Sequence, residues 1–163
     1  MTNLFEENAY AKEIKTKIKN IDKENNAVEL EKTVFYGKSG GQPGDTGQII
    51  IGDQKIEIND SLKNENSILN ILEDVSGLSI GQTVTAKINW QRRYKYMRMH
   101  SALHLMCAAI PLGVTGGQIG YEKSRLDFND PDKQINKDKL EITIGKIENK
   151  GRMNRRVNIL IND

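Results

Sequence analysis

The chain has 163 residues, with 24 Lys+Arg against 22 Asp+Glu, a net charge of +2, and 28% charged residues. That length buries the core of one domain or of two small ones, and no run approaches the ~20 apolar residues that a membrane span needs. One cysteine, Cys107, excludes an internal disulfide and fits a reducing, cytoplasmic setting, and the acidic start Phe5-Glu6-Glu7 is not a signal peptide.

From the N-terminus, residues 12 to 36 read as strands. Ile14, Thr16 and Ile18 alternate with lysines, a turn follows at Lys23 to Asn26, and Val28 to Leu30 and Thr33 to Tyr36 continue the pattern. Asn25-Asn26 tolerates positive φ, which predicts a hairpin. Gly37 to Gly47 then holds five glycines in eleven residues around Gln42 and Asp45. So much lost backbone restraint suits either a chain held close to a ligand or a long surface connection. Gln48 to Ile51 and Lys55 to Ile58 form a hairpin across Gly52-Asp53, and Ile68 to Leu72 and Thr83 to Ile88 complete a small, mostly antiparallel unit. Short strands at this spacing suggest a barrel or a sandwich.

Near Asn89 the pattern turns from strand to helix and from acidic to basic, which places a domain boundary there. Residues 1–89 carry 10 Lys+Arg and 14 Asp+Glu, net −4; residues 90–163 carry 14 and 8, net +6. Arg92, Arg93, Lys95 and Arg98 lead into a helix over Tyr94 to Ile110, and Lys146, Lys150, Arg152, Arg155 and Arg156 form a second group. Such clusters suit a polyanion such as RNA, or simply a solvated helix face. The helix holds the only two histidines, His100 and His104. Four residues apart, they lie on one face with Cβ atoms about 5–6 Å from each other, within reach of one metal ion. Two ligands make no closed site, so two unrelated histidines are equally compatible with the spacing. The zincin motif is excluded because Ser101 stands where its general base belongs.

After Pro111 comes a second glycine-rich stretch, Leu112 to Gly120, then a strand at Arg125 to Phe128. Asn136 caps a helix with Leu140, Ile144 and Ile147, Gly151 ends it, and Arg156 to Ile161 reads as a last strand.

Three stretches taken together resemble the editing domain of alanyl-tRNA synthetases and the free-standing AlaX alanyl-tRNA editing proteins. They are Phe35-Tyr36 with Ser39 to Gly47, Arg98 to Leu105, and Val114 to Gly120 with Arg125 to Phe128. The resemblance implies an α+β protein. A small β-barrel over residues 1–89 would precede a two-layer α/β editing domain, over residues 90–163, of the kind found as the second additional domain of threonyl- and alanyl-tRNA synthetases, with the active site in a cleft between helix and sheet. It implies hydrolysis of seryl-tRNA(Ala), and in some members glycyl-tRNA(Ala), with the alanyl ester spared. It assigns zinc to His100 and His104, an editing-site role to Gln42, and recognition of the seryl hydroxyl to Thr115. Substrate or tRNA contacts are expected beside these of Gly40, Gly41, Gly117 and Gln118 in the glycine-rich stretches and of Arg92, Arg93 and Arg98 in the basic cluster.

The chemistry fits those roles. An aminoacyl ester is already activated, so the enzyme must mainly place a water and stabilise an oxyanion. A threonine hydroxyl left unpaired by alanine would provide the discrimination. One departure stands out: the family completes its zinc site with a downstream Cys-x-x-x-His segment, and no histidine follows His104 here. Cys107, on the stripe of the two histidines, is open to reading as a third ligand or as a small core residue; Asp127 is a weaker oxygen donor. The expectation is a folded, metal-poor chain cut short of the family's C-terminal part. Nothing in the sequence resembles a class II catalytic core, so aminoacylation is not expected of it, and the alternatives to the hydrolase are a non-catalytic tRNA-binding module or an inactive fragment of an alanyl-tRNA synthetase-related protein.

Overall fold

The computed structural model describes residues 2–132 and residue 135. The helix expected from Asn136, the last strand and the second basic group lie outside the described residues. The elements are, in order, β1 (Thr2–Asn3), α1 (Leu4–Glu7), β2 (Glu13–Asp22), β3 (Ala27–Leu30), β4 (Lys32–Thr33), β5 (Gly47–Ile51) and β6 (Gln54–Ile58). They continue with β7 (Asp60–Asn64), β8 (Ser67–Ile71), β9 (Thr83–Ile88), α2 (Trp90–Ala109), β10 (Val114–Gln118) and β11 (Arg125–Phe128). The chain forms two compact units that part between Arg93 and Tyr94.

The first unit is a seven-stranded antiparallel sheet in the order β6-β5-β9-β2-β3-β8-β7. Alternation along the strands builds its core: on β9, Val84, Ala86 and Ile88 point inward while Thr83 and Lys87 face water. Ile18, Val28, Leu30, Val34, Phe35, Ile49 and Ile58 join them. The turns follow their residue chemistry, with positive φ at Asn26, Gly52, Gly77 and Gly81.

The expected barrel is not closed. Its outermost strands, β6 and β7, follow one another with only Asn59 between them, so the sheet curls back on itself, yet no β6–β7 ladder exists among the described residues. The reason lies on the free edge of β7. There the Lys38 N–H donates to the Ser61 carbonyl at 2.8 Å, and Lys38 bridges Leu62. The first glycine-rich loop thus occupies the seam.

Two further differences from the sequence reading have side-chain causes. The strand expected over Thr33 to Tyr36 is only Lys32–Thr33. Beyond it the Phe35 N–H donates to Thr33 Oγ1 and the Tyr36 N–H to the Asp45 carboxylate, so side chains replace the ladder. β7 escapes recognition because its pattern is inverted. Ser61 is buried and Leu62 is not, the Ser61 hydroxyl lying 3.0 Å from the Asp45 carbonyl and 3.1 Å from Asn70 Oδ1. Asn70 Nδ2 in turn donates to the Val28 carbonyl, so this buried polar group is satisfied.

In the second unit, Tyr96, Met99, Leu103 and Met106 of α2 repeat at spacings of three and four and pack with Ile110, Ile119, Leu126 and Phe128. β10 and β11 pair as an antiparallel hairpin. The strand at Arg125 to Phe128 is as expected, whereas β10, with two glycines in five residues, has little strand propensity of its own and borrows its apolar cover from β11. Among the described residues no helix is long and apolar enough to cross a membrane.

Candidate functional site

In the first unit, Ser39 and Gln42 exchange backbone hydrogen bonds of 2.9 and 3.1 Å, and the two residues between them, Gly40 and Gly41, have φ of +55° and +76°. Positive φ at both central positions is the pattern of a type I′ turn, which L side chains adopt poorly. The tip is open: a Cβ at Gly40 would meet no heavy atom within 4 Å. The glycines around it answer a different need. A Cβ at Gly44 would run into the Ser61 carbonyl, one at Gly47 into the Lys87 carbonyl, and one at Gly37 would stand 2.8 Å from Lys63 N. Gln42 itself is only 4% exposed.

Behind the turn lies a contact between residues 48 apart in sequence. Asp45, 1% exposed, receives Nε and a terminal nitrogen of Arg93, which is 3% exposed, as well as the Tyr36 N–H. Arg93 also donates to the Val34 carbonyl at 2.8 Å, and its guanidinium carbon lies 5.7 Å from the ring centres of both Phe5 and Tyr36. Arg93 was expected to touch tRNA; its guanidinium is instead enclosed, and it positions the loop. The carboxylate in the loop gave no local clue to this partner, but the helix did. Counting back by three from Met99 and Tyr96 reaches Arg93, on the stripe that buries apolar residues. Its neighbour Arg92 is half-buried; its N–H is capped by Asn89 Oδ1 at 3.1 Å, as an N-cap should be.

In the second unit, His100 is half-buried and His104 exposed. Their rings stack, with centres 4.9 Å apart and planes 15° from parallel. Burial first, then the neighbouring His104, pulls the His100 pKa below that of an ordinary imidazole. It is therefore neutral at pH 7, with a lone pair to offer. A shared metal would have to lie in both ring planes, and two stacked, nearly parallel planes have no such common point within bonding range. Among the described residues no set of three His, Cys, Asp or Glu side chains is gathered to hold a metal, and Cys107 is a half-buried free thiol. The zinc site implied by the resemblance does not fit the described donors as they stand.

Thr115 has a distinctive place. The register runs Val114↔Phe128 and then Gly116↔Asp127, so Thr115 is the extra residue of a β-bulge. It is exposed, as are Gly117 and Gln118 farther along β10. A Cβ at Gly116 would come 2.8 Å from Asp127 Oδ2, so the Asp127 carboxylate lies close over that backbone. Arg98, on α2, is half-buried.

Comparison with known proteins places this sheet and loop in a class. Residues 3–92 match the family described as tRNA synthetases class II (A), and the chain belongs to that family. Over a longer span it is similar to alanyl-tRNA editing proteins and to alanine–tRNA ligases, as the three motifs implied. It is 37% identical over 129 residues to alanyl-tRNA editing protein AlaX-M of Methanosarcina barkeri, covering 74% of this chain and 53% of that protein. With AlaX-M of Pyrococcus horikoshii it shares 35% over 147 residues, 85% of this chain and 65% of that one. The alanine–tRNA ligase of Ignicoccus hospitalis is 39% identical over 132 residues, 77% of this chain and 14% of the ligase. The chain thus spans about half to two thirds of the editing proteins and a small part of the ligase.

Proposed function

We propose that this chain hydrolyses misacylated tRNA(Ala) in the cytoplasm, releasing serine, and glycine as a second substrate, while sparing the alanyl ester. The observation that carries the reading is the likeness to two alanyl-tRNA editing proteins over 74% and 85% of the chain. In the reaction, water adds to the ester carbonyl carbon, the bond from that carbon to the terminal ribose oxygen breaks, and the ribose oxygen takes up a proton. The barrier falls when donors are aimed where negative charge develops on the carbonyl oxygen.

Roles follow from placement within each unit. Thr115, lifted out of the ladder by its bulge, offers a hydroxyl to the seryl side chain. An alanyl side chain leaves that hydroxyl unpaired, a kind of mismatch that rejects the wrong ligand strongly. Gly117 and Gln118 continue the same exposed strand. Gly40 and Gly41, at the open tip of their turn, let a nucleotide approach the backbone, and buried Gln42 serves by fixing that turn. Arg92 and Arg98 supply positive charge for phosphates. His100 and His104 match the zinc ligands of the resemblance, but this two-donor set has stacked rings that share no metal position and no third donor gathered among the described residues, so no step is assigned to a metal.

That same two-donor set favours a second reading, a tRNA-binding module without catalysis. Deacylation assays with seryl- and alanyl-tRNA(Ala), with H100A as control, separate the two. Loss of the seryl ester alone, dependent on His100, is the expected result. Binding of both tRNAs with neither ester lost would overturn the hydrolase in favour of the module.

A further inference from the structure

The loop joining β10 to β11 carries an aromatic ring that no role above uses. Tyr121 is 42% exposed, yet the backbone that presents it is fixed. The Gly120 N–H donates to Ser124 Oγ at 3.1 Å, and a Cβ at Gly120 would run into the Lys123 carbonyl. The Tyr96 ring meets Tyr121 edge-on, with centres 6.1 Å apart and planes at 77°, and Tyr96 is anchored in the core of this unit. Over the Tyr121 ring, 3.7 Å from its centre, sits the ammonium of Lys95.

The charged group placed on this ring is the Lys95 ammonium. Between Tyr94 and Phe128 the only acidic residues are Glu122 and Asp127, and Asp127 pairs with Arg125 at 3.2 Å. Among the described residues neither Lys95 nor Arg98 has a carboxylate within ion-pair distance. Lys95 and Arg98, three apart on α2, are neighbours on the helix surface.

We infer that Tyr121 is a stacking platform for one unpaired nucleotide of an RNA, with Lys95 and Arg98 holding the adjacent phosphates. A preorganised, exposed aromatic ring beside unpaired cations is the combination that binds single-stranded nucleic acid, since every base has a face to stack. Lys95 is a placeholder in the free protein. An exposed cation–π contact is weaker than base–aromatic stacking, so a base takes the ring face, and the long flexible lysine stem turns its ammonium to the phosphate. The inference rests on the reading that this chain takes a tRNA, and it names the part of the molecule that meets an unpaired tRNA nucleotide.

The test measures binding of the full chain to a hairpin RNA with a short unpaired 3′ tail and to the same hairpin without it, across a salt series. Wild type is expected to prefer the tailed RNA. Y121L should lose that preference, roughly a tenfold fall for the tailed RNA alone, with its salt slope unchanged. Y121F should keep it. K95Q should weaken the tailed RNA and lower its salt slope by about 0.7, one single-strand phosphate contact. Thermal melting of each variant separates a folding defect from a binding one, and Y121F guards against misreading the loss of ring packing. Equal weakening of both RNAs by Y121L, or no weakening, overturns the platform and leaves the editing reading standing. No binding of either RNA by wild type overturns both.

Discussion

The two glycine-rich stretches look alike in composition and do opposite things. Residues 37–47 are welded into the first unit: Gly37, Gly44 and Gly47 lie where the chain's own backbone leaves no room for a Cβ, and Asp45 behind them is held by Arg93. Only the Gly40–Gly41 tip is open. Residues 113–120 are exposed over most of their length, with open space around Gly113 and Thr115 pushed out of register. Glycine in the first stretch therefore serves packing at the seam of an unclosed sheet. In the second it leaves polar groups accessible on a two-stranded hairpin, so the more loop-like first stretch is the scaffold and the strand is the surface.

The largest expected effect breaks the scaffold side. Asp45→Ala leaves the Arg93 charge buried and uncompensated, and should cost about 3–5 kcal/mol in denaturant unfolding. Replacing both partners together, as Asp45→Leu with Arg93→Met, should cost less than the single change, since no orphan charge remains. Next comes a matched pair of glycine substitutions. Gly44→Ala forces its methyl into the Ser61 carbonyl and should destabilise by about 2–3 kcal/mol. Gly113→Ala meets open space and should be neutral or stabilise by up to about 1 kcal/mol. Equal losses at the two positions would erase the contrast.

The smallest effect concerns pH. Because burial and His104 hold the His100 pKa below its ordinary value, the unfolded chain binds that proton more readily than the folded one. Stability therefore rises with pH through the imidazole range and is lost as pH falls below about 6.5. The dependence should shrink in His100→Gln. A denaturation midpoint that moves the other way, rising as pH falls, would contradict the burial of this ring.

Much of this was legible in the chain itself, and the misses share a cause. Hairpins at Asn26 and Gly52, a helix expected over Tyr94 to Ile110 and found over Trp90–Ala109, and the strand at Arg125 followed from turn chemistry and periodicity. β7 did not, because its inward residue is Ser61, paired to Asn70 on the neighbouring strand, and alternation finds apolar residues only. Strand spacing left a barrel or a sandwich open and the resemblance implied the barrel, but what holds the edge of β7 is a loop contact at Lys38 that no local pattern encodes. The Asp45–Arg93 pair spans 48 residues and so had no local signature, although the stripe that buries Tyr96 and Met99 passes through Arg93. At the candidate site, helical spacing located the histidines, and the resemblance to alanyl-tRNA editing proteins pointed to Thr115. Their geometry, stacked rings and a bulge, depends on side-chain rotation and strand register, which sequence spacing leaves open.

The most direct test of the account is the ratio of kcat/KM for seryl- over alanyl-tRNA(Ala) in Thr115→Val, measured beside wild type and Thr115→Ser with the melting temperature of each. Thr115 is exposed on its bulge, so melting should not change, while the ratio should fall by roughly a hundredfold or more in the valine variant and survive in the serine variant. An unchanged ratio in Thr115→Val, in a protein that still hydrolyses the seryl ester, would contradict the claim that this exposed strand selects the substrate.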